Sequence, residues 1–128
     1  MINLQKKHVV IHDGLEYDFV HKENYVSCPI CKGNIVFSLF NSDDFNKLNK
    51  IYQDNIASDI KHLIKNESEY GLRYTYERLP LRVDYTKCDL EGHNFAVVFT
   101  FGEIQNTRYK SHLLGLFQVT KKQLEQNN

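Results

Sequence analysis

Residues 27–33 read Ser27-Cys28-Pro29-Ile30-Cys31-Lys32-Gly33, and residues 87–95 read Lys87-Cys88-Asp89-Leu90-Glu91-Gly92-His93-Asn94-Phe95. These stretches hold all three cysteines of the chain and one of its six histidines. Two residues between Cys28 and Cys31 make a turn tight enough to point both sulfurs at one metal ion. Pro29 sets φ inside that turn, and Gly33 can take the positive φ that lets backbone N–H groups approach the sulfurs. In the second stretch four residues separate Cys88 from His93, and Gly92 gives the chain room to turn back. Tetrahedral zinc accepts three Cys and one His, often as two short-spaced pairs. The expectation is a structural zinc ion on Cys28, Cys31, Cys88 and His93. Each pair precedes a run that reads as a strand, residues 34–40 and 94–101, so both pairs deliver their ligands to one end of a sheet.

Rival uses of the cysteines fit the sequence less well. A disulfide framework leaves one of three cysteines over. A redox Cys-x-x-Cys opens a helix after a strand, whereas Gly33 and a strand follow here. Free thiols placed by chance leave Pro29, Gly33 and Gly92 without a reason. Cys28-Pro29-x-Cys31-x-Gly33 leading into a strand resembles the first knuckle of zinc-ribbon proteins. Cys88 through Phe95 is similar to the second knuckle, in which Gly-His before an aromatic residue is common. The resemblance implies metal binding and leaves function open. The chain departs from a simple ribbon in two ways: the second pair is Cys-x4-His, and 56 residues lie between Cys31 and Cys88.

Outward from the knuckles the patterning changes twice. Residues 8–12 and 15–20 flank Asp13-Gly14, a strong two-residue hairpin signal because both residues tolerate positive φ. Val9, Ile11, Leu15, Tyr17 and Phe19 are then the inward side chains. From Phe45 onward, Leu48, Ile51, Tyr52, Ile56, Ile60, Leu63 and Ile64 recur at three- and four-residue steps. This spacing predicts one amphipathic helix of about six turns, capped by Asn41 or Ser42, or two helices broken near Ala57-Ser58. Beyond Gly71 alternation returns. Leu72, Tyr74 and Tyr76 lie on one face of a strand that Pro80 interrupts, and Leu81, Val83 and Tyr85 resume it. Phe95, Val97, Phe99 and Phe101 alternate with Ala96 and Val98, which reads as a strand buried on both faces. A turn at residues 105–107 leads to a last strand over residues 112–119, with Gly115 as a bulge or bend. Thr120 can cap a short terminal helix or tail. The expected architecture is α+β: one domain over residues 1–128, an antiparallel sheet packed on one long amphipathic helix, with the zinc-ribbon-like site at one end.

Length and composition bound the function. A chain of 128 residues, 41% hydrophobic, is the size of one domain with a real core. No apolar run approaches the ~20 residues of a membrane helix. The start lacks a secretory signal, so the expectation is a cytoplasmic protein without a membrane partner. Lys plus Arg balance Asp plus Glu at 16 each, and the balance holds over residues 1–40, 41–66 and 67–128 separately. That argues against a nucleic-acid binder, which carries a basic excess. Arg73, Arg78, Arg82 and Lys87 interleave with Tyr74, Tyr76 and Tyr85, but Glu77 and Asp84 dilute them. Glu91 is the only candidate base beside the site.

The expectation is a non-enzymatic protein that binds or inhibits another protein, with Tyr74, Tyr76 and Tyr85 as contact residues, since Tyr supplies contact area at low entropy cost. Its profile is similar to small immunity proteins of bacterial toxin systems or phage-encoded inhibitors, which are neutral or acidic single domains rich in Asn and Tyr. The alternatives are a nucleic-acid-binding zinc-ribbon module and, third, a metal-dependent enzyme.

Overall fold

Residues 2–66 and 73–120 are described by the structure, a computed structural model. Along the chain its elements are β1 (Val9–Gly14), α1 (Glu16–Val20), β2 (Asn24–Ser27), β3 (Asn34–Phe37), β4 (Asp43–Asp44), a 3₁₀ turn (Phe45–Lys47), α2 (Lys50–Ala57), β5 (Ile64–Lys65), β6 (Tyr74–Tyr76), β7 (Leu79–Lys87), β8 (Asn94–Thr100), β9 (Gly102–Gln105) and β10 (Arg108–Gln118). The main sheet is antiparallel with strand order β1-β10-β8-β7-β6-β5; β4 lies on β7 and β9 on β10. β2 and β3 form a separate hairpin.

The apolar run of β8 explains its central place. Phe95, Ala96, Val97, Val98 and Phe99 are each 0% exposed, which only a strand covered on both faces allows. Ala96 and Val98 join Leu81, Val83 and Leu114 beneath Phe45, Leu48, Tyr52, Ile56 and Ile60. On the other face Phe95, Val97 and Phe99 pack against Phe19 of α1 and Ile35 and Phe37 of β3. Gly115 is a bulge, as its place in an apolar strand implies: the β10–β8 register shifts between Leu113 and Gly115. The extra residue lets Leu113 and Leu116 enter one core and Leu114 and Phe117 the other.

The long helix is not there. Among the described residues 48% lie in strands and 14% in helices, and α2 has eight residues. The cause is the polar residues inside the apolar pattern. Asp44 accepts the N–H of Asn46 and Asn49 that of Tyr52, so the chain is capped twice where one helix would run through. Ser58 turns its hydroxyl back to the Asn55 carbonyl, Asp59 and Ile60 close i→i+3 bonds, and His62 takes φ of +67°. Such side chains offer the backbone an alternative to helix. The spacing still reports burial at Phe45, Leu48, Tyr52, Ile56 and Ile60, but not at Ile51 and Ile64, which are 76% and 64% exposed.

The expected first hairpin is also corrected. Asp13-Gly14 ends β1 beside β10 rather than turning the chain, and Asp13 takes the Arg108 guanidinium through two 2.7 Å bonds. Residues 16–20 form α1, so of Leu15, Tyr17 and Phe19 only Phe19 is buried. A tertiary ion pair here overrides a local turn preference. Pro80 does not interrupt a strand. The turn is Glu77-Arg78, both at positive φ without glycine, and Pro80 is the second residue of β7. Gly71, Leu72 and the segment after Thr120 lie outside the described residues. Among the described residues no helix is long and apolar enough to cross a membrane.

One buried charge gives the fold a pH signature. Asp84 in β7 is 5% exposed, and its Oδ2 accepts the Ser38 N–H at 3.1 Å. Burial, helped by neighbouring Asp43, pushes its carboxyl up to about 6 from 3.8. A raised carboxyl contributes its full stability below 3.8 and loses it as pH rises through about 6. Asp84→Asn should therefore match the wild type near pH 4 and exceed it at pH 8 by up to about 3 kcal/mol, measured by urea unfolding at both pH values. His8, facing His62, Glu77 and Lys61, and His112, facing Glu77, Lys110 and His8, act oppositely. Burial lowers both, so their contribution is full above 6.5 and lost as pH falls. The difference between wild type and variant isolates Asp84; a difference that does not grow with pH would remove this assignment.

Candidate metal centre

The first knuckle hangs between β2 and β3, and the second joins β7 to β8. Each is a closed backbone loop. Cys28 N–H donates to the Gly33 carbonyl and Lys32 N–H to the Cys28 carbonyl, while Cys88 N–H donates to the His93 carbonyl. The positive φ of the first knuckle falls on Lys32, at +69°, and not on Gly33 as its sequence implies. Gly33 serves a different need. A Cβ there would stand 2.6 Å from Leu90 Cβ and 3.0 Å from Leu90 N, so the two knuckles touch through its bare backbone. Gly92 does turn the second knuckle at φ +71°.

The knuckles are stitched together. Asp89 N–H donates to the Asn34 carbonyl at 2.9 Å, and Asn34 N–H returns a 2.7 Å bond to Asp89 Oδ1. Ile35 and Cys88 form an antiparallel bridge. Asp89 is the supporting residue that sequence reasoning missed; its position directly after a candidate ligand, Cys88, was the available signal.

This stitching brings Cys28, Cys31, Cys88 and His93 together, with all four ligand atoms within 4.8 Å of one another. Cys31 and Cys88 Sγ are 3.5 Å apart, and His93 Nδ1 is 3.5 Å from Cys88 Sγ and 3.9 Å from Cys28 Sγ. A tetrahedral ion with metal–sulfur bonds of about 2.3 Å has sulfur–sulfur edges of about 3.8 Å, so the donors stand near the corners such an ion requires. Nδ1 is the imidazole atom turned to the sulfurs. All three cysteines are free, with no disulfide among them. Cys28 and Cys88 are 0% and 2% exposed, and Cys31 sits at the rim.

The Cys31 and Cys88 thiols shift in opposite directions. Burial pushes the Cys31 thiol up, and there it prevails. At Cys88 burial acts the same way, but the backbone N–H groups of Glu91 and His93, together with the Cys31 and His93 side chains, outweigh it and bring the thiol down to about 6. The His93 N–H lies 3.1 Å from that sulfur. Glu91 thus serves the site through its backbone, and its side chain is exposed.

The expected contact tyrosines do not form an exposed set. Tyr74 is 7% exposed in the core beneath α2, its hydroxyl bonded to Asp54. Tyr76 and Tyr85 are half-buried against the same core, Tyr76 edge-on to His8 and His112. The solvent-facing apolar side chains near the centre are Tyr25, Ile30 and Leu90, at 64%, 44% and 66%. They were missed because each lies in a knuckle or short hairpin, where no period marks a face. Comparison with protein-family models, curated proteins and solved structures gives no match to this chain.

Proposed function

We propose that Cys28, Cys31, Cys88 and His93 hold a structural zinc ion, and that the protein works by binding another macromolecule without turnover of its own. The observation that carries this reading is the closed donor set: four protein ligands at tetrahedral separations fill zinc's usual coordination and leave no position for a reacting water. The ion would clasp the β2–β3 hairpin, which has no place in the main sheet, onto the β7–β8 turn. Its chemistry there is to bind three thiolates and one imidazole and so couple metal affinity to folding.

A protein partner fits better than nucleic acid, since the charges of the chain cancel and phosphate contacts need a basic excess. An inhibitor or immunity-type role is the form of this reading that the profile of the chain favours. Tyr25, Ile30 and Leu90, exposed on the knuckles and the strand entering them, are better placed for contact than Tyr74, Tyr76 and Tyr85. The test is affinity capture with the metal-loaded chain and with an Ile30→Glu/Leu90→Glu variant. A protein captured stoichiometrically by the first and lost at least tenfold by the second is the expected result. Recovery of nucleic acid instead, or equal capture by both, would refute it.

A further inference from the structure

Away from the metal centre, a groove of about 410 Å³ opens between the loop after β3 and the start of β7. Leu39, Pro80 and Phe101 give it apolar walls, and Arg82 and Asp44 give it one charge of each sign. Its size and lining are those of a small-molecule site, apolar with a few polar groups that fix orientation.

The walls are held before any ligand arrives. Arg82 is pinned to the loop by Ser42: Nε donates to Oγ at 2.9 Å and Nη2 to the carbonyl at 2.7 Å. Ser42 in turn closes onto the Leu39 carbonyl through its hydroxyl and its N–H. The Phe101 ring stacks on Phe19 at 4.8 Å and on Tyr109 at 5.4 Å, and Phe101 N–H donates to the Pro80 carbonyl.

The two charges are not used on each other. Asp44 and Arg82 are direct cross-strand partners in the β4–β7 pair, so their side chains share a face. Among the described residues neither forms an ion pair. Asp44 spends Oδ1 on the Asn46 N–H. The remaining N–H groups of the Arg82 fork have no acceptor among the described residues. A rigid guanidinium fork matches a carboxylate through paired bonds, and an adjacent carboxylate matches a nearby N–H donor.

We propose that this groove binds a residue with an apolar side chain, a free carboxylate and a neighbouring N–H donor. Arg82 takes the carboxylate, Asp44 the N–H, and Leu39, Pro80 and Phe101 the side chain. A free apolar amino acid and the C-terminal residue of a polypeptide both present this chemistry.

The test is an NMR titration of the full-length metal-loaded chain with L-leucine, N-acetyl-L-leucine and L-leucinamide, each to about 10 mM, where a single residue with a few good contacts saturates. Saturable shifts at residues 39–44, 80–82 and 101–102 with a carboxylate-bearing probe, and none with leucinamide, are expected. Stronger binding of N-acetyl-leucine identifies a chain terminus as the ligand, and stronger binding of leucine a free amino acid. Arg82→Gln should weaken binding at least about tenfold. Because Arg82 also holds the loop, Leu39→Arg provides a second variant that fills the apolar wall and leaves Arg82 in place; it should weaken binding similarly. No saturation with either acid, equal binding of leucinamide, or undiminished binding by a folded Leu39→Arg chain would overturn the proposal. Metal content measured on the same sample keeps this outcome separate from the metal-centre reading.

Discussion

Cys88→Ser is expected to reduce bound zinc from one per chain to background and to lower the melting temperature by tens of degrees. A structural zinc site supplies on the order of 10 kcal/mol, while a domain of this size is stable by about 5–15 kcal/mol in total, so losing the ion removes most of the margin. Cys88 is the position where the loss should be greatest. It is 2% exposed, its sulfur accepts the His93 N–H, and its backbone bridges to Ile35. A chelator added to the wild type should reproduce the variant's melting curve, and excess zinc should restore the wild type alone. Elemental analysis beside calorimetry checks both parts. A variant that has lost its metal yet melts like the wild type would show that the ion does not hold the fold.

Gly33→Ala is expected to destabilise the protein by about 3 kcal/mol, the upper end for overpacking, and to weaken metal binding with it. Its new methyl would meet Leu90 Cβ at 2.6 Å and Leu90 N at 3.0 Å. The second contact is backbone and cannot rotate away. Relief requires the knuckles to part, and parting separates Cys31 from Cys88. Gly92→Ala offers the contrast: nothing lies within 4 Å of its new methyl, and only φ of +71° is strained. About 1–2 kcal/mol is expected there, with zinc affinity nearly unchanged. Competition with a zinc-binding dye and urea unfolding of both variants measure the difference. Equal losses in the two would mean that the knuckle contact has no special weight.

The meeting of Cys28, Cys31, Cys88 and His93 was legible because its signal is local. Two residues between cysteines and a proline inside the turn are local features that set two sulfurs side by side, whereas Gly33 answers to Leu90 of the other knuckle. The doubly buried β8 was legible for a similar reason, since a run such as Phe95 to Phe99 has no polar face to show to water. The helix was misread because the three- and four-residue spacing of Phe45, Leu48, Tyr52, Ile56 and Ile60 reports burial, and burial is satisfied equally by short pieces laid across a sheet. Asp44, Asn49 and Ser58 carried the contrary signal, each bonding to nearby backbone where a continuous helix needs that backbone for itself. Asp13-Gly14 was misread because its deciding partner, Arg108, lies 95 residues away. No local pattern contains such a pairing. The burial of Tyr74 went unread for want of the same information: alternation showed which tyrosines shared a face, and it could not show that the segment around α2 covers that face.

The strand order has a consequence for how the chain is made. β10, the last described strand, lies between β1, the first, and β8. As the chain emerges from a ribosome, β1 has no neighbour to join until residues 108–118 are out. Both knuckles emerge before that. Capture of the proposed metal can therefore precede closure of the sheet, and the β2–β3 hairpin would wait on β7 and β8 while the far edge stays open. Pairing over such separations is slow, and an open strand edge invites wrong partners in the interval. A released chain truncated after residue 107 should already bind zinc and yet remain sensitive to protease, with protection arriving only once β10 is complete.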